Sequence, residues 1–135
     1  LSLAAVEPGL DLILEAGMEN LRQKSLRQSR FLIDMINELL VPLGFTLASP
    51  ELDQQRGSHV SVRHPEGYRI NRAMIEPDDR SVAIIPDFRP PDNIRLGIAP
   101  LYNTFMELCS CVERMYTIVK EKKYEAYSQT KLTVT

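Results

Sequence analysis

The chain has 135 residues, of which 44% are hydrophobic and 25% charged, a size and balance that suit one domain with a buried core. Its formal net charge of -2 gives no electrostatic case for binding nucleic acid or an anionic membrane. No apolar run approaches the ~20 residues that span a bilayer.

Leu1 to Ala16 reads as a short helix with Leu10, Ile13 and Leu14 on one face and Gly17 as its stop. It does not read as a secretory leader, because it lacks a basic start and carries Glu7, Asp11 and the Pro8–Gly9 pair. The first residue is Leu rather than Met, which suggests a piece of a longer protein. Met18 to Leu40 reads as a long helix, with Leu21, Ser25, Ser29, Leu32, Ile36 and Leu39 at helical spacing. The small Ser25 and Ser29 leave room for another element. The basic run Arg22, Lys24, Arg27 and Arg30 reads as a solvated face. Pro42 and Gly44 end the helix.

Phe45 to Ala48 is expected as a short strand, Ser49 to Gly57 as a polar loop, and His59 to Arg63 as a strand with Val60 and Val62 inward. Pro65 to Gly67 reads as a turn, Tyr68 to Ile75 as a helix and Pro77 to Arg80 as a charged turn. Val82 to Ile85 is continuously apolar and reads as a strand buried on both faces. Thr104 and Glu107 have the spacing of a capping box. Phe105, Leu108, Cys109, Val112, Met115, Tyr116 and Val119 then form one apolar helical stripe. After Val119 the pattern fades, so a frayed helix end and a disordered tail are expected. Cys109 and Cys111 point about 200° apart on a helix. They read as unbridged packing residues of a reducing, cytoplasmic protein. The element order predicts an α+β fold, a small and largely antiparallel sheet with helices on one face.

The segment Asp87 to Phe105, DFRPPDNIRLGIAPLYNTF, holds the densest chemistry. A diproline turn at Pro90 and Pro91 precedes a strand in which Ile94, Leu96 and Ile98 alternate with Arg95 and Gly97. Strand side chains alternate between faces, so with the aliphatics in the core Arg95 lies on the opposite face beside a residue without bulk. From the residues alone it is either a solvated edge-strand Arg or a guanidinium fork for a planar carboxylate. Asp87, Arg89 and Asp92 flank the diproline, where turns favour such residues anyway. Arg89, Arg56 and Tyr102 are candidate auxiliary contacts to an anion, with turn formation or packing as their other roles. His59 and His64 have no neighbouring Cys or paired carboxylates that would make a metal or nucleophile site, and read as surface or core histidines.

That segment, together with QRGSHVSVRHPEGYRINRAMIE from Gln55 to Glu76, resembles the C-terminal part of the kynureninase family, over Leu1 to about Tyr116. IRLGIAPLYNTF is close to a family signature. The resemblance implies a pyridoxal-phosphate enzyme of the aspartate-aminotransferase-like fold. Such an enzyme hydrolyses kynurenine, or 3-hydroxykynurenine, to anthranilate, or its 3-hydroxy form, and alanine in tryptophan catabolism. It implies that Arg95 binds the α-carboxylate of the amino-acid substrate. It also implies that residues 1–17 are the tail of a large domain and that 18–135 form the small domain, including a connecting helix over 18–41. The parent would be a cytoplasmic homodimer.

The chemistry visible in this stretch is incomplete. Pyridoxal-phosphate enzymes need a Lys for the Schiff base and an acidic partner for the pyridine nitrogen. The five lysines, Lys24, Lys120, Lys122, Lys123 and Lys131, lie on polar helical faces or in the tail, and none matches the family's catalytic segment. No Gly-rich phosphate loop is present. The expectation is therefore a domain that binds no cofactor by itself, has no catalytic residue of its own, is inactive alone, and works with a large domain that bears the pyridoxal phosphate. Two other readings compete. One is the small domain of a related pyridoxal-phosphate aminotransferase or cysteine desulfurase. The other is a stand-alone non-catalytic module for carboxylates or a protein partner.

Overall fold

Two helices occupy the first third of the chain. The computed structural model describes residues 6–77 and 81–130. The first five residues of the expected first helix, most of the charged turn and the last five residues of the tail lie outside that set. The first helix, α1, spans Val6–Ala16, and the second, α2, spans Met18–Met35. α2 runs on into a wider π-helical turn, Ile36–Leu40, where the Val41 N–H reaches back to the Ile36 carbonyl. Pro42 follows in a 3-10 turn, Val41–Leu43; it has no N–H with which to extend the helical ladder. Gly44 closes the element at φ 93°, a left-handed conformation that side chains resist.

Among the described residues four strands follow: β1 (Thr46–Leu47), β2 (His59–Arg63), β3 (Asp87–Arg89) and β4 (Asn93–Gly97). They pair in the order β1-β2-β4-β3, antiparallel throughout. A third helix, α3 (Gly67–Ile75), connects β2 to β3, and a fourth, α4 (Phe105–Lys120), follows β4. The expected α+β architecture is the one observed. α4 opens with the capping box read from the sequence: Glu107 N–H donates to Thr104 Oγ1 at 3.2 Å and Thr104 N–H to Glu107 Oε2 at 2.7 Å.

Strand alternation divides the sheet. Val60, Val62, Ile94 and Leu96 face the helices and are buried with Leu32, Ile36 and Leu40 of α2 and its extension, Ile70 and Met74 of α3, and Leu108, Val112 and Met115 of α4. Fully burying an aliphatic side chain of this size is worth roughly 1.5–3 kcal/mol, so the three helices are held on one side of the sheet. The other face carries His59, Ser61 and Arg63 on β2, Asn93, Arg95 and Gly97 on β4, and Asp87 and Arg89 on β3.

Two expectations are corrected. Val82 to Ile85 is not a strand; Val82 is 86% and Ile85 79% exposed. The strand lies further on, at Asp87–Arg89, because the tight β3–β4 turn pairs the residues that flank it, Arg89 with Asn93 and Phe88 with Ile94. By residue 84 β4 has ended, and the Ile84 N–H donates instead to Met74 O at 3.0 Å. The chain after Val119 is also not a simple fray. Past Lys122, at φ 54°, it forms a 3-10 turn, Lys123–Ala126, that lies over α3. Arg69 Nε donates to Tyr127 O at 2.8 Å and its guanidinium stands 5.3 Å from the Tyr124 ring centroid.

Candidate functional site

The β3–β4 hairpin carries the candidate site, and α3 fixes it in place. The His64 N–H donates to Asp92 O at 3.1 Å. The N-terminus of α3 comes so close that a Cβ at Gly67 would stand 2.5 Å from that same carbonyl. No side chain fits there, and the turn is seated directly on the helix.

On this pinned hairpin Arg95 and Asp87 face each other in register. Arg95 Nη2 donates to Asp87 Oδ2. Arg89 lies two residues along β3, hence on the same face, and its Nε donates to the same Oδ2 at 2.9 Å. Two guanidinium groups thus share one carboxylate. Removal from water opposes the charge on Asp87. The hydrogen bond and charge of Arg89, and then those of Arg95, outweigh it and hold the carboxyl below its usual value. The Arg95 side chain is 38% exposed. A Cβ added at Gly97, its neighbour on the same face, would meet nothing within 4 Å, so there is room beside the fork for a small ligand. On the adjacent strand Arg63 Nε lies 3.9 Å from Asp92 Oδ1.

The structure brings together two of the four residues picked out from the sequence, Arg95 and Arg89. Arg56 lies elsewhere, in the β1–β2 loop. Its side chain is 2% exposed and donates to Ser29 Oγ, to the Pro50 and Glu51 carbonyls and to Asp53 Oδ1. That makes it the clamp of the loop against α2. Tyr102 sits in the turn after β4, 72% exposed. This turn is anchored by Asn103, whose carbonyl accepts from Gln28 Nε2 of α2 at 2.8 Å and whose Oδ1 accepts from the Ala99 N–H at 2.8 Å. Asp87 is the partner that turn statistics obscured. Its signal was the Asp-x-Arg spacing, which on a strand places Asp87 and Arg89 on one face.

Two further reactive side chains, His64 and Cys111, are buried. His64 is buried between the end of the α2 extension and the start of α3. Its Nδ1 accepts from the Glu66 N–H at 3.0 Å, so the proton lies on Nε2, which donates to Leu43 O at 3.3 Å. Desolvation by burial lowers its pKa, against the Leu43 hydrogen bond and the charge of Glu66. Cys109 and Cys111 are unbridged, and burial pushes the Cys111 thiol up to about 12. Cys111 lines a cleft of about 790 Å³ between the 81–86 segment, the end of β4 and α4. Such a thiol is not a nucleophile at neutral pH.

Among the described residues no cluster of three or more His, Cys, Asp or Glu could hold a metal ion, and no helix is long and apolar enough to cross a membrane. The described lysines lie on α2, at the end of α4 and just beyond it, and none is on the strand face that carries Arg95. These residues can hold a carboxylate. Among the described residues, that face offers no lysine amine for a pyridoxal phosphate.

The family model of the kynureninase C-terminal domain matches residues 21–115. A kynureninase of Bacillus anthracis is 37% identical over 127 residues, covering 94% of this chain and 28% of the relative. That of Geobacillus thermodenitrificans is 38% identical over 128 residues, covering 95% and 29%. That of Pseudomonas fluorescens is 39% identical over 135 residues, covering 99% and 31%. The chain therefore spans about three tenths of the length of the curated relatives it matches.

Proposed function

The chain belongs to the kynureninase family, as its C-terminal domain, and from that premise we propose that it supplies the substrate-carboxylate site of a pyridoxal-phosphate hydrolase that splits kynurenine, or its 3-hydroxy form. The products are anthranilate, or its 3-hydroxy form, and alanine. The observation that carries this reading is Arg95, an accessible guanidinium on a pinned strand that already grips a carboxylate, that of Asp87. An amino-acid substrate presents the same planar group. Held by the fork, its α-carbon is fixed in position and orientation, which is catalysis by placement. The cofactor, an electron sink for carbanions, belongs to the rest of the full-length protein, as does the lysine that would bear it. Residues 1–17 are then the end of the large domain, and 18–135 the small domain with its connecting helix. The full-length protein acts as a cytoplasmic homodimer on a small-molecule substrate.

The test is to follow anthranilate and alanine release from kynurenine with the full-length protein and with this chain alone, each supplied with pyridoxal phosphate. The full-length protein is expected to turn over. The chain alone is expected to release nothing and to form no internal-aldimine absorbance. Anthranilate release by the chain alone, or a full-length protein that ignores kynurenine, would refute the reading.

A further inference from the structure

A carboxylate-binding Arg that is already occupied raises a question of exchange. Arg95 donates to Asp87 through one nitrogen of its fork, Nη2, whereas a guanidinium carries five N–H donors. Arg89 reaches the same Oδ2 from its own position on β3, at 2.9 Å. The cluster has two positive groups and one negative group. An incoming carboxylate makes it two and two.

We propose that Asp87 is the resting counter-ion of Arg95 and that Arg89 takes Asp87 over when the substrate carboxylate arrives, so that Asp87 and Arg89 are positioning residues for carboxylate capture. This rests on the reading of Arg95 given above. The physical reason is competition between two carboxylates for one guanidinium. Asp87 is 43% exposed and loses little when released to water, but while Arg95 is its only partner it competes fully with the incoming group. Arg89 is already bonded to Asp87, so the handover breaks one contact and leaves no carboxylate without a partner. In the resting state Asp87 keeps the long Arg95 side chain extended across the strand pair, in the pose from which it meets the ligand. Neither Asp87, at 43% side-chain exposure, nor Arg89, at 59%, supports the core, so substitutions at both leave the fold intact.

The experiment measures kcat and KM for kynurenine in the full-length protein. The variants are Arg89→Gln, Arg89→Lys, Asp87→Asn, the double Asp87→Asn/Arg89→Gln, and Arg95→Ala. Arg89→Gln leaves Asp87 competing for Arg95, so KM rises about three- to tenfold with kcat within about twofold, the span of a typical pairwise coupling. Arg89→Lys restores most of that loss. Asp87→Asn removes the competitor and the brace together, so both KM and kcat fall. The double variant matches Asp87→Asn in KM, because Arg89 acts only through Asp87. An unchanged KM in Arg89→Gln overturns the exchange, as does an Arg89→Gln penalty that persists with Asn at position 87. If Arg95→Ala itself keeps normal kcat/KM, the carboxylate reading has failed. If Arg95→Ala is crippled while Arg89→Gln is normal, only the exchange has failed.

Discussion

Gly67 and Asp92 stand closer than any side chain would permit: a Cβ on the first residue of α3 would lie 2.5 Å from the carbonyl oxygen at the β3–β4 turn. This contact seats the hairpin that bears Arg89 and Arg95 on the body of the domain. Gly67→Ala must push backbone from backbone, and overpacking of this kind costs roughly 1–3 kcal/mol. Thermal melts are expected to show a clear loss for Gly67→Ala. Gly97→Ala, on the open side of β4 with nothing within 4 Å, should melt with the unmodified chain. Equal melting of all three would remove the seat from the argument.

Arg95 should matter to turnover and little to folding. A hydrogen bond to a charged group is worth about 1.5–3 kcal/mol, and a carboxylate contact that also orients the reacting carbon is felt in kcat as well as KM. In the full-length protein Arg95→Ala should lower kcat/KM for kynurenine roughly tenfold to a few hundredfold. Arg95→Lys retains the charge without the fork and should recover part of it. Melting temperatures should barely move, because an exposed ion pair such as that with Asp87 contributes little to stability. Near-normal kcat/KM in Arg95→Ala, or a variant that simply unfolds, would return Arg95 to the status of a solvated strand residue.

His64 predicts an acid-sensitive seam. Its ring nitrogens are both used, Nδ1 as an acceptor from the Glu66 N–H and Nε2 as a donor to Leu43 O. A second proton would set Nδ1–H against N–H. With the folded pKa lowered from 6.5, the unfolded chain binds the proton first. The stability is therefore fully present above pH 6.5, falls as pH drops below that value, and levels off below the lowered folded pKa. Urea midpoints measured from pH 8 to pH 5 should fall more steeply for the unmodified chain than for His64→Gln. Parallel curves would count against the seam.

α1 has no buried residue, and Val6, Leu10, Leu12 and Leu14 are each at least half exposed. On the proposal that α1 is the end of the large domain, the rest of that domain covers these side chains in the full-length protein. By itself the chain should therefore self-associate through α1. Sedimentation velocity across a concentration series should show association that Leu10→Glu/Leu14→Glu abolishes. A clean monomer at high concentration for the unmodified chain would exclude it.

Much of this domain was legible because its signals are local. The 94/96/98 alternation placed Arg95 on the face opposite the core, since neighbouring strand side chains have no other geometry. The Thr104–Glu107 spacing marked the start of α4, because a capping box closes within one turn. The IRLGIAPLYNTF phrase carried the family resemblance. What tertiary structure alone decided was pairing. Val82 to Ile85 has the apolar content of a buried strand, but the β3–β4 register carries residues 82–84 past the end of β4 at Gly97, so the strand became Asp87–Arg89, with Val82 and Ile85 left exposed and Ile84 bonded to Met74 instead. The same choice turned Asp87 from a turn residue into the partner of Arg95. Arg56, equally charged in the sequence, was drawn into the β1–β2 loop because carbonyls and Asp53 converge on it there. A residue's type and spacing set which face it takes. Which charge it meets on that face depends on strand register, and for Arg95 and Asp87 that register is set by the β3–β4 turn.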